Sequence, residues 1–556
     1  MRKLETYCKQ FFNDIAYRNK AQLKKSDGAK KVDLLCLEVS LLRFLRDKTR
    51  ENAFEVFYCY CEIFKPFGYG YDKNCERILF LLNAHEENAG RLSASQRDHY
   101  AHSVIVFAMG LSIYQNSEAF RAHIQEFFKK HFNVQGEVKE RFLLLWGLTS
   151  LFHDIGYPFE LAFSQIRQYK EELKFDHEDG LKLPTVTFLD LEKFERIPTK
   201  LKDYFAELLN GACSSVKEVF AEYVRRVLGG QREYFLELIG LLPLGDAHVD
   251  HAYFSAIILF AETAWQDLSA MQADGYLYAL TAIILHNKLS RLLCNDKWFV
   301  QNVKQFSCGN NPLAWLLLLT DSLQDYGRSC FGKKIQDKGY ASDCLFDFSN
   351  GGICVEYQHY RYETVKIPTK KDISYIDLQD VFKFVEITKK EVGQIRKKVT
   401  YSDRDFFVQI LDTAKGIHEH FCKVHGKQPW DSLALEYKLS NIEVAKLYAD
   451  TLHSLRYFFT KTPCALREIT ALSKKEMAGL SEKEHRRWVQ EKKDMRWTYD
   501  PKAKEKDEKR RTHPDLKLEK IQDKRVRAIK AQKDVEIMQD IFEILMKNGY
   551  KVYRLP

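Results

Sequence analysis

Residues Leu151–Glu160 read LFHDIGYPFE. The run before them, Arg141–Phe152, spaces its apolar residues by three and four, which predicts a buried helix. That helix delivers an adjacent pair, His153–Asp154. Histidine offers a neutral nitrogen and aspartate a charged oxygen, so the two together can grip one hard or borderline cation. A His-Asp dipeptide alone is common by chance and means little. Its company gives it weight.

Upstream, Asp98–Phe107 (DHYAHSVIVF) sets His102 at the start of an apolar helical pattern, with Ser103 beside it. Downstream come Asp250–Phe260 (DHAYFSAIILF), Tyr278–Asn287 (YALTAIILHN) and Leu313–Arg328 (LAWLLLLTDSLQDYGR). Each puts a histidine or an aspartate at the start or end of an otherwise apolar helix. Burying such groups without partners costs several kcal/mol, so the ordered set argues for a shared ligand.

The order His102, His153–Asp154, His251, His286, Asp321 resembles the HD superfamily of metal-dependent phosphohydrolases over roughly residues 90–330. The resemblance implies that His102, His153, Asp154 and Asp321 hold one metal. It further implies that His251 and His286 serve a second, with Asp154 as bridge. One or two divalent transition-metal ions are expected. Imidazole with carboxylate favours Mn or Fe, with Ni, Co and Zn also open. In one respect the chain departs from the superfamily's triphosphohydrolases, which often carry a histidine shortly after the HD pair. Here Gly156 is followed by Tyr157–Pro158. A catalytic histidine would then come from elsewhere, with His177 and His248 as candidates beside Asp154. His248 lies three residues before His251, so the two could share a helix face. Asp321, Asp325 and Arg328, at i, i+4 and i+7, could share another. Arg328 could hold a substrate phosphate with its fork of donors, or simply neutralise Asp325. Lys288 is a weaker phosphate candidate.

Residues Leu480–Trp488 (LSEKEHRRW), Met495–Tyr499 (MRWTY), His513–Leu516 (HPDL) and Asn548–Val552 (NGYKV) resemble the ryanodine-receptor repeat, or RyR, domain over about 465–556. Arg496 departs from the glycine usual before the tryptophan. Trp488, Trp497 and Tyr499 offer stacking faces, and Arg487, with Arg486 and Lys492, offers charge. Together with His513 they would suit a nucleotide-like effector. An aromatic core with a basic solvated face is the alternative.

The remaining readings bound the class. The chain has 556 residues, 45% hydrophobic and 29% charged, as an ordinary folded protein has. The expected architecture is mainly α. Residues 1–90 form the N-terminal helical part of the HD unit, 91–330 its core, 331–464 an α+β and helical connection, and 465–556 the RyR-like module. Ile353–Tyr360 (ICVEYQHY) alternates as a strand does, Ile373–Val385 and Phe406–Ile410 read as short elements, and helix is expected again over Asn441–Phe459. The N-terminus, MRKLETYCKQFFND, lacks the apolar core of a signal peptide. The apolar stretches fall short of the ~20 residues a membrane span needs. Thirteen cysteines without a C-x-x-C pair suggest reduced thiols and a cytoplasmic protein. The net charge of +9, concentrated in the last hundred residues, favours anionic partners. Nucleotides come first, and nucleic acid and a homo-oligomer stay open.

The resemblances imply a hydrolase of nucleotide phosphate bonds, foremost a deoxynucleoside triphosphate hydrolase under ligand control, as in bacterial antiviral systems of similar layout. An HD nuclease or cyclic-nucleotide phosphodiesterase would use the same metals on a diester. A ligand-sensing scaffold with a degenerate site is the alternative of a different class.

Overall fold

Helices that are apolar on every side have to be buried on every side, and such helices build the centre of this protein. The computed structural model describes residues 1–16, 28–68, 96–132, 138–160, 195–243, 249–327, 330–331, 341–360, 365–392, 406–425, 428–503, 505–520 and 540–555. It is mainly α-helical, with small sheets. The chain divides into two units, Met1–Phe11 with Leu41–Thr400, and Phe12–Ser40 with Tyr401–Pro556.

In the first unit the helix His99–Asn116 is buried along nearly its whole length. Asp98 caps it, accepting from the Ala101 N–H and from Arg50 Nε at 2.8 Å. It packs against Leu4–Phe11, Val138–Leu151 and Pro312–Leu323. The helix Ala270–Leu285 opens on a Ser269/Gln272 capping box and packs against His251–Glu262, Val138–Leu151 and Pro312–Leu323. Asn311 caps Pro312–Leu323, whose proline stands in the first turn, where a missing N–H costs nothing. These helices form one packed bundle.

Two helical readings change. The apolar run that includes Tyr278–Asn287 does not continue as one helix: one helix ends at Leu285, His286 is its C-cap, and a second runs Lys288–Cys294. Periodicity continues across the break, so the sequence pattern conceals it. The helix holding Asp321 stops at Leu323. Asp325 therefore lies beyond it, so Asp321 and Asp325 do not share a helix face, and Arg328 lies outside the described residues.

The α+β section is a three-stranded sheet. Asp343–Asp347 pairs antiparallel with the central strand Ile353–Tyr360, which pairs in parallel with Val385–Val392, Ile353 opposite Val385. Lys370–Ile373 is a single 3₁₀ turn.

The second unit carries the helices Phe406–His425, Leu435–Ser454, Lys474–Asp494 and Ile541–Lys547, with Tyr457–Thr460 paired antiparallel to Lys551–Arg554. Helix therefore resumes at Phe406, earlier than expected, and Phe459 belongs to a strand. Arg456, at φ +62°, turns the chain out of the preceding helix. Among the described residues no helix is long and apolar enough to cross a membrane.

Candidate metal centre

The pair His153–Asp154 leaves the C-terminal end of Val138–Leu151, and His286 leaves the end of Ala270–Leu285. The last carbonyls of a helix have no partner within it. Both histidines use this: His153 Nδ1 donates to the Ser150 carbonyl at 2.7 Å, and His286 Nδ1 to that of Ile283, each three residues back. His251 is the first residue of His251–Glu262, and its Nδ1 donates to Glu160 Oε2. His102 lies inside its helix, and its Nδ1 donates to Gln324 Oε1. The Gln324 amide is oriented by its own donation to the Tyr326 carbonyl at 2.7 Å.

Every acceptor in that set lacks a proton to give, so all four rings carry hydrogen on Nδ1 and present Nε2 to one another. His102 and His153 Nε2 are 3.2 Å apart, and His251 and His286 Nε2 are 3.1 Å apart. Asp154 stands between the pairs. Its Oδ2 is 3.6 Å from His102 Nε2 and 3.4 Å from His153 Nε2. Its Oδ1 is 3.3 Å from His251 Nε2 and 3.6 Å from His286 Nε2. Asp321 Oδ1 joins the first pair, 2.9 Å from His102 Nε2.

His102, His153, Asp154 and His286 are all buried. Two groups that could hold a metal ion result, His102–His153–Asp154 and Asp154–His251–His286. Inward ring nitrogens, each fixed by a carbonyl or carboxylate on its other nitrogen, are the arrangement a metal ligand set uses. The Asp321 side chain, 31% exposed, and that of Glu160 are the members most open to solvent.

The charges are strongly coupled. Burial pushes the Asp154 carboxyl up, but His153, His251 and His286 outweigh it and hold it well below the usual carboxylate range. Burial acts likewise on Asp321, where His102 and His153 prevail and hold it well down. Burial lowers His251, yet Asp154 and Glu160 raise it well above an ordinary histidine. This group of anions and imidazoles holds positive charge tightly, as protons or as metal.

All six expected ligands are thus brought together. Glu160, Gln324, Asp250 and Asn287 were not foreseen. Glu160 and Asp250 join His251 in a third group of closely spaced donors. Only the carboxylate six residues after Asp154 could have signalled Glu160. The ring of Tyr157 lies between His99, 4.0 Å away by centroid, and His251, 5.3 Å away. Lys288 begins the short helix after His286 and is half-buried. His177, His248 and Arg328 lie outside the described residues. The described helix of His251 begins at that residue, with Asp250 as its N-cap.

In the second unit the expected ligand residues separate. Trp497 is buried, its indole N–H donates to Glu436 Oε1 at 2.6 Å, and Arg511 stacks over its ring at 4.9 Å. Arg487 is held between Glu484 and Glu491. Trp488 is half-buried, with His485 stacked at 6.0 Å and His513 edge-on at 4.9 Å. Tyr499 lies under Lys517, at 5.5 Å. Arg496 adopts φ +61°, the left-handed region that favours glycine, and reaches buried Glu38 at 3.4 Å.

No family model, no curated protein and no solved structure matches this chain.

Proposed function

We propose that this chain is a metal-dependent hydrolase of nucleotide phosphate bonds, an HD-type phosphohydrolase acting foremost on deoxynucleoside triphosphates. The observation that carries the reading is the placement of Asp154, one oxygen toward His102 and His153 and the other toward His251 and His286. Divalent ions held there, Mn or Fe by the mixed imidazole and carboxylate donors, would acidify a water molecule and offset charge on phosphate oxygens.

The chain's own groups do the rest. Ser150, Ile283, Gln324 and Glu160 keep all four Nε2 atoms facing inward. Asp321 and Glu160 mark the solvent side from which a substrate enters. Tyr157 packs beside His251, and Lys288, two residues after His286, is the candidate for holding a substrate phosphate. The four fixed tautomers argue against a degenerate scaffold, which has no chemical use for them.

Regulation through the C-terminal segment rests on Trp488 and its two flanking histidines, because Trp497 and Arg487 are committed to buried partners. A nucleotide-like effector stacking there would govern hydrolysis, and nucleotide depletion in antiviral defence is the setting such control suits.

The test is to incubate metal-loaded protein with the eight common nucleoside and deoxynucleoside triphosphates, linear DNA and cyclic dinucleotides, and to resolve the products. Release of triphosphate with an intact nucleoside supports the reading. Cleavage of DNA or cyclic dinucleotides alone moves the assignment to a nuclease or phosphodiesterase. No turnover with Mn, Fe, Co or Ni overturns it.

A further inference from the structure

The second donor group is assembled from two unrelated helix ends. His251 opens one helix and His286 caps the end of another. The neighbour of each histidine is polar: Asp250 precedes His251 and Asn287 follows His286. Asn287 Nδ2 donates to Asp250 Oδ1 at 2.8 Å. That same oxygen accepts from the Ala252 N–H and so caps the His251 helix.

Asn287 stands at the N-cap of Lys288–Cys294, where an asparagine ordinarily bonds its own helix. It makes no such bond. Its side chain reaches across to Asp250, which is 1% exposed. At that depth water is a poor substitute for a lost donor.

We propose that Asn287 is a positioning residue for the second metal: its bond to Asp250 clasps the two helix ends so that His251 and His286 converge on one cation. The inference rests on the metal-centre reading. An uncharged donor is required, since aspartate at 287 would face Asp250 charge to charge and leucine would offer nothing. The first donor group does not depend on this bond, because His153 and Asp154 adjoin in the chain and His102 is oriented by Gln324.

The experiment is Mn²⁺ titration of the full-length protein, counting ions by calorimetry and reading spin coupling between them by electron paramagnetic resonance. Wild type should bind two ions with a coupled spectrum. Asn287→Ala should keep one at unchanged affinity, bind the other about ten- to a hundredfold more weakly, and show the uncoupled signal of a single Mn²⁺. Asn287→Asp should do the same or worse, and adding Asp250→Asn to it should restore the second ion by reversing the bond. Should Asn287→Ala fail to fold, the exchanged pair decides. Two ions at unchanged affinity in Asn287→Ala, or no recovery in the exchanged pair, would overturn the clasp. Wild type that binds no Mn²⁺ would instead overturn the metal-centre reading itself.

Discussion

Gly156 and His251 meet backbone to backbone: a β-carbon at position 156 would lie 2.3 Å from the His251 carbonyl oxygen and 2.5 Å from the Ser255 nitrogen. The turn after His153–Asp154 thus sits directly on the first turn of the His251 helix, and Gly156 N–H donates to Ser255 Oγ at 2.8 Å. Backbone cannot yield as a flexible side chain can. Gly156→Ala should therefore push the helix away, cost about 1–3 kcal/mol as overpacking does, and separate His251 from Asp154. Urea unfolding with Mn²⁺ counting reads both effects. Unchanged stability with two ions retained would show that the contact does not matter.

His131 reports the pH sensitivity of the bundle independently of the metal centre. Burial, with Lys130 and Arg226 nearby, lowers its pKa to about 4, and it hydrogen-bonds the Tyr278 hydroxyl at 3.1 Å. Unfolded histidine titrates near 6.5, so between that pH and about 4 the unfolded chain binds the proton and the folded one does not. Stability from this residue is present above about 6.5 and is lost as pH falls toward 4. His131→Asn should flatten the dependence of melting temperature on pH across that window relative to wild type. Parallel curves for the two proteins would contradict this.

Trp497 is expected to behave as a core residue. Trp497→Phe keeps a ring but removes the N–H bonded to Glu436, a buried carboxylate that also receives Arg511 at 3.0 Å. The loss should be about 1–3 kcal/mol, read by denaturant unfolding, with metal content unchanged. Trp488→Ala should leave stability nearly intact and abolish any response of hydrolysis to an added nucleotide effector. The reverse pattern would return the ligand role to Trp497.

What could be read from the sequence was the chemistry that stands out against an apolar background. His102, His153–Asp154, His251, His286 and Asp321 each stand near the start or end of an otherwise hydrophobic helix, and the structure brings all of them together. Gln324, Asn287 and Glu160 did not stand out, because a polar residue near a helix end is unremarkable until tertiary packing sets a partner opposite it. The break at His286–Asn287 was concealed by apolar spacing that continues through it. Trp497 and Trp488 looked alike, since an aromatic among basic residues reads the same whether the cations stack over a buried ring or flank an open one.

The most direct test of the central claim is elemental analysis of protein purified without chelator and supplied with Mn, Fe, Co and Ni. One or two transition-metal ions per chain are expected, and none should remain in a folded His153→Ala, Asp154→Ala protein, because Asp154 faces both pairs of histidines. Wild-type protein that takes up none of the four metals, or a double variant that keeps its full complement, would contradict the assignment.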